Sequence, residues 1–235
     1  MTGSGTVEKM EASYPEKRLP YPRDAEMDAN LTQCYELVRN KLEKKKFAEA
    51  LNAVEELLEH DPFHGEGLML NAEILKRMGK VAEARAAYMR ALEEHPDSSL
   101  AYRELGHFLL FQEEKLAMAE THLLNGLAIN PQDAFAHVLL AEIYTRTNRA
   151  RQALLHLEIA VRYPMEDIRF YELFAKLVTR ICEDGIETDH LQTALVNNAG
   201  SRARNQFKRA MRAQKRENRA KPAFAEVIRR VWSKG

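Results

Sequence analysis

The chain has 235 residues, 45% of them hydrophobic, and its 35 basic side chains match 35 acidic ones. No apolar run reaches the ~18 residues of a membrane span, and Met1 to Met10 carry neither an apolar run nor a cleavage-like site. A transmembrane helix and a secretory leader are therefore not expected, and a cytoplasmic location is. Cys34 and Cys182 stand too far apart for a metal knuckle or a disulfide framework, and both fall in apolar-periodic segments, so buried thiols are expected. The neutral total hides an asymmetry. Residues 200–235 hold 12 Lys and Arg against Glu217 and Glu226, a net +10, and the remainder of the chain carries −10. The two parts attract each other or attract different partners.

In chain order, residues 1–28 come first, with Gly3, Gly5, Pro15, Pro20 and Pro22, a composition that predicts a flexible or extended arm. A repeat follows. Pro62, Pro96, Pro131 and Pro164 close successive segments at spacings of 34, 35 and 33. Ala50, Ala84, Ala119 and Ala153 recur at 34, 35 and 34, and Val54, Tyr88, Leu123 and Leu157 keep that spacing. So do Leu57, Ala91, Gly126 and Ala160, while Val38, Ala72, Gly106 and Ala141 mark an earlier register. Each unit reads as two helices. The first has a small or slim residue at a fixed point. The second has alanine, a bulky residue four later and a small one three after that, which is a 3.6-residue stripe. Small residues let helices approach closely, and proline stops the second helix. The units are 31–64, 65–98, 99–133, 134–166 and a degenerate 167–199, which has Ala175, Leu191, Ala194 and a turn at Gly185 but no closing proline. The extra residue of the third unit falls between Gly106 and Ala119, near Gln112 to Lys115.

These positions resemble the tetratricopeptide repeat family across roughly residues 29–199. The second unit fits best, with Leu68, Ala72, Leu75, Ala84, Tyr88, Ala91 and Pro96. The third carries Tyr102, Leu105, Gly106, Leu109, Ala119 and Pro131, and the fourth Leu140, Ala141, Tyr144, Ala153, Ala160 and Pro164. The first departs, with Val38 and Lys41 where small and aromatic residues are usual. The resemblance implies an all-α, right-handed superhelical solenoid of about five antiparallel helical hairpins, closed by C-terminal capping helices. It also implies a concave groove lined by each unit's first helix. Carried onto this chain, the groove positions are Tyr35, Arg39, Met69, Glu73, Arg103, His107, Val138 and Glu142, with Leu110, Phe111 and Phe135 nearby. Chaperone-binding clamps of this family grip a carboxylate with Lys, Asn and Arg. Tyr35, Met69, Glu73, Val138 and Glu142 disfavour that subgroup. An amphipathic helix or an extended peptide with bulky anchors fits a mixed groove better. The alternative is that Tyr35, Met69 and Phe135 pack between repeats.

The basic end, residues 200–235, opens with a helix-favouring stretch bearing Arg202, Arg204, Lys208, Arg209, Arg212, Lys215, Arg216 and Arg219 over a narrow apolar strip of Phe207, Ala210 and Met211. After Pro222, the residues Phe224, Val227, Ile228 and Val231 fall at i, i+3, i+4 and i+7 beside Trp232, an amphipathic pattern. Three readings stay open. The segment caps the solenoid, its cations pairing with the acidic repeats; it docks another protein or a neighbouring copy; or it meets RNA or anionic lipid. Among the histidines, His60 and His64 flank a proline turn, while His107, His137 and His156 belong to different repeats. No phosphate loop, His-Glu-x-x-His or cysteine pair occurs. Neither metal nor cofactor is expected, and the expected function is non-catalytic protein–protein interaction: an adaptor, assembly factor or chaperone-like holder.

Overall fold

The computed structural model describes residues 25–165, 167–183, 186–198 and 200–220. Among these, every regular element is a helix. Four hairpins stack in order: α1 (Ala25–Glu43) with α2 (Phe47–His60), α3 (Gly65–Arg77) with α4 (Val81–Glu94), α5 (Ser99–Phe111) with α6 (Leu116–Ile129), and α7 (Ala134–Arg146) with α8 (Ala150–Ala160). The helices α9 (Ile168–Glu183), α10 (Asp189–Asn198) and α11 (Ser201–Ala220) complete the solenoid. Helix α1 begins inside the stretch assigned to the arm, so residues 25–28 belong to the first hairpin. Pro15, Pro20, Pro22 and Gly185 lie outside the described residues, as do Phe224, Val227, Ile228, Val231 and Trp232.

Two local devices repeat with the core. Each hairpin turn holds one residue with positive φ: Lys45, Gly79, Glu114 and Asn148. Only the second turn uses glycine, the residue that adopts this conformation without steric cost. The next residue's amide then reaches back to the end of the first helix, from Lys46 to Lys41, Lys80 to Leu75 and Arg149 to Tyr144. In the third turn the same bond spans one residue more, from Lys115 to Leu109. The extra residue is absorbed there without disturbing either helix. At the start of each following unit a side chain caps the first helix. His64 Nδ1 accepts from Gly67 N at 2.9 Å, Ser98 Oγ from Ala101 N at 3.2 Å, and Asp133 Oδ1 from Ala136 N at 3.0 Å. Asp167 Oδ1 accepts from Arg169 N at 2.9 Å at the start of α9. Each bond satisfies an amide that a helix start would otherwise leave open. His64 thus acts as a helix cap through Nδ1.

The repeated small and bulky residues form the core. Ala50, Ala84, Ala119 and Ala153 are fully buried, with Val54, Tyr88, Leu123 and Leu157 beside them. In the third hairpin the approach is close enough that a Cβ on Gly106 would lie 2.6 Å from Leu123 Cγ. Cys34 is half-buried and Cys182 is exposed, against expectation. The buried stripe of α9 runs through Phe170, Phe174, Leu177, Val178 and Ile181, and Cys182 falls just off it.

The degenerate fifth unit departs most from the pattern. Helix α9 packs chiefly on α11 rather than on α10. Phe207 of α11 is buried, its ring 5.9 Å from that of Phe174, with Ala203, Ala210 and Met211 packed against the same core. On its other side α9 lies against α7, whose residues from Ala134 to Thr145 are all buried. Replacing Gly106 with valine forces Leu123 out of its place, and overpacking of this kind costs about 1–3 kcal/mol. Urea unfolding of Gly106→Val is expected to show that loss, and unchanged stability would contradict the close approach.

Candidate functional site

The first helices α1, α3 and α5, together with the start of α9, enclose a concavity of about 910 Å³. Tyr35, Met69, Glu73 and His107 line it. Leu70, Leu100 and Ile168 add apolar surface, and Leu100 and Ile168 are 45% and 52% exposed. Arg39 is exposed and does not line the concavity, its guanidinium lying 5.9 Å from the Tyr35 ring centre.

The remaining expected groove residues are placed differently. Phe135 and Val138 are in the core, and Glu142 is 1% exposed. The cause is α9, which covers the inner face of α7. Lys176 of α9 donates to Glu142 Oε1 at 3.3 Å, and Arg146 donates to the same oxygen at 2.7 Å. Phe135 therefore packs between repeats, and Leu110 is fully buried as well. Phe111 is half-buried under Arg146, whose guanidinium lies 5.2 Å from its ring centre. Arg103 ties units together, donating to the cap residue Asp133 at 3.0 Å and to Glu104 at 3.2 Å.

Fixed charges close the groove at its α9 end. Arg169 makes two parallel bonds of 2.9 Å to the carboxylate of Glu104 and also binds Asp167. Such bidentate pairing is the strong form of ion pair. Burial alone would raise the Glu104 carboxyl. The hydrogen bonds and charge of Arg169, with Arg103 behind, outweigh it and hold the pKa at about 2. On α3, burial likewise opposes ionisation of Glu73, but Lys76 and Arg77 prevail and keep its pKa below the ordinary value. The Tyr88 hydroxyl donates to Glu73 at 3.4 Å. Burial first, then Glu73 and Glu104, push that hydroxyl above its usual pKa. His107 lies against Phe111 and Phe135, with ring centres 5.0 and 5.9 Å away. Burial depresses its pKa to about 4, so it is a neutral wall of the groove near pH 7.

Sequence reasoning missed Glu104, Arg169, Tyr88, Leu100 and Ile168. The repeat register could have found Leu100, one turn before Glu104 on α5. The Glu104–Arg169 pair joins residues 65 apart and leaves no periodic trace. In the basic segment, Arg202, Arg204, Lys208, Arg209, Arg212 and Arg216 are exposed on α11. Positions 215 and 219 share its backbone, but the side chains of Lys215 and Arg219 lie outside the described set.

A family model described as tetratricopeptide repeat matches residues 41–105. The protein PilF of Pseudomonas aeruginosa is similar in structure, with a TM-score of 0.63 over 89% of this chain and 100% of its own, at 14% identity. Residues 41–105 thus carry the tetratricopeptide repeat, and the chain has the fold of such repeat proteins. Two further solved structures share the fold of this repeat protein. A thermophilic repeat protein of Thermus thermophilus gives a TM-score of 0.58 at 17% identity, covering 77% of this chain and 98% of its own. MamA of Desulfovibrio magneticus RS-1 gives 0.52 at 20% identity, covering 82% and 97%. No curated protein matches the sequence. Among the described residues, no helix is long and apolar enough to cross a membrane.

The depressed groups set the acid response of this repeat protein. His107 is protonated more readily unfolded than folded, so its contribution is complete above about pH 6.5 and is lost toward pH 4. Glu104 contributes fully above about pH 4.5 and loses that contribution toward pH 2. Stability followed by urea unfolding is expected to decline below about pH 6.5. His107→Phe is expected to blunt the upper part of the decline and Glu104→Gln the lower part. Unaltered pH profiles would show that these groups titrate alike in both states.

Proposed function

We propose that this repeat protein is a non-catalytic interaction module that holds an extended or helical segment of a protein partner in its concave groove. The observation that carries this reading is the concavity of about 910 Å³ built by α1, α3 and α5, in which apolar anchors alternate with fixed charges. Tyr35, Met69, Leu100 and Ile168 offer the surface that bulky partner side chains bury. Glu73, Glu104 and Arg169 are committed to ion pairs within the groove, and His107 is held neutral. Groups locked in this way recognise shape and polarity rather than exchange protons with a substrate. A repeat stack also displays such a surface on a preformed scaffold, so little ordering is needed on binding. The role follows as adaptor, assembly factor or holder in the cytoplasm.

Site-specific photo-crosslinking tests the reading. A crosslinker at Met69 or Leu100 is expected to capture a partner, and one at Met89 or Leu124, exposed on the second helices, is not. Met69→Glu with Leu100→Glu is expected to weaken capture at least tenfold while helicity is unchanged. Phe135 is unsuitable for such a test, because a charge at a fully buried site unfolds the repeat rather than the interaction. Crosslinks confined to Met89 and Leu124 would overturn the groove.

A further inference from the structure

Five cations of the basic segment, Arg202, Lys208, Arg209, Arg212 and Arg216, stand exposed on one helix. Helix α11 runs for 20 residues, about 30 Å at the rise of an α-helix. At about 100° per residue, all eight of its Arg and Lys positions from 202 to 219 fall within an arc of roughly 160°. The opposite arc holds Ala203, Phe207 and Ala210, which pack against the core. Capping and charge pairing therefore come apart. The helix covers α9 through its apolar strip, but among the described residues no ion pair engages Arg202, Lys208, Arg209, Arg212 or Arg216. These five side chains are exposed on one face, and from 202 to 216 no carboxylate interrupts them.

The chemistry of this face narrows its occupant. A protein partner is normally anchored by buried apolar groups at the centre of the contact, with charges at the rim. An in-plane membrane helix inserts its apolar strip into the lipid. Here the strip is already spent against α9 and α11 offers only charge. A linear polyanion needs nothing else, because neutralising successive phosphates releases condensed counterions without any apolar contact. Arginine outnumbers lysine on the face, and the guanidinium fork matches phosphate oxygens bidentately. We infer that the outer face of α11 is a docking surface for the phosphate backbone of a nucleic acid, without base preference. It lies on a different helix from the groove and does not depend on the reading of the groove.

The test uses the full chain and a fluorescein-labelled 20-nucleotide uridine RNA, followed by fluorescence anisotropy, with duplex DNA of equal length alongside. Binding is expected at 50 mM salt. With roughly five phosphates engaged, affinity is expected to fall about a hundredfold by 200 mM. The combined variant Lys208→Glu, Arg209→Glu, Arg212→Glu and Arg216→Glu is expected to lose binding, and each single reversal to weaken it several-fold. The single reversals keep the test decisive if the combined variant fails to fold, which circular dichroism would reveal. Met69→Glu with Leu100→Glu is expected to leave RNA affinity unchanged, which separates this surface from the groove. Polyglutamate and phosphatidylserine vesicles serve as the competing classes. Absence of RNA and DNA binding at 50 mM salt, affinity unmoved by the reversals, or tighter binding to polyglutamate or vesicles than to nucleic acid would each overturn the inference.

Discussion

The solenoid rests on one steric constraint: the two helices of each unit must come close enough for the bulky residue of the second to reach the slim residue of the first. Gly106 and Leu123 show the limit, since no Cβ fits between them. Ala72 and Ala141 hold the corresponding place in the neighbouring units, and both are fully buried. Once that distance is set, the bulky residues Tyr88, Leu123 and Leu157 fill the space between hairpins, and the core becomes continuous from unit to unit. The positive-φ turns and the side-chain caps follow at the same intervals because the chain must reverse and restart at the same depth each time.

That stacking generates the groove, and α9 ends it. In the first three units the inner faces of α1, α3 and α5 remain open. In the fourth, α9 lies across α7 and takes Phe135, Val138 and Glu142 into the interior. Arg169 then fastens the start of α9 to Glu104, and Asp167 both caps α9 and completes the ion cluster. Buried charges of this kind are tolerable because each is paired at hydrogen-bond distance. The groove is thus bounded by the same interaction that holds the fifth unit in place.

At the far side of α9, helix α11 divides its two faces between two tasks. Its apolar strip closes the hydrophobic end that a repeat stack would otherwise expose. Arg202, Lys208, Arg209, Arg212 and Arg216 face outward, so this part of the sequence's charge asymmetry becomes a surface feature of the fold.

Features set by near neighbours in the chain were legible in the sequence. The 34-residue register of alanines and bulky residues, the unit order and the place of the extra residue near Gln112 all follow from helical periodicity and turn geometry, which act over a few residues. The caps His64, Ser98, Asp133 and Asp167 obey the same register and could have been found by it. Tyr35, Met69, Glu73 and His107 were placed in the groove because each sits on a first helix at a repeating angle. Only the tertiary structure decided that Phe135, Val138 and Glu142 are covered, that Arg169 reaches Glu104, and that α9 pairs with α11 instead of α10. Those outcomes depend on how a decayed repeat without a closing proline docks on its neighbours. That docking is a competition among distant surfaces, and no local period records which surface wins.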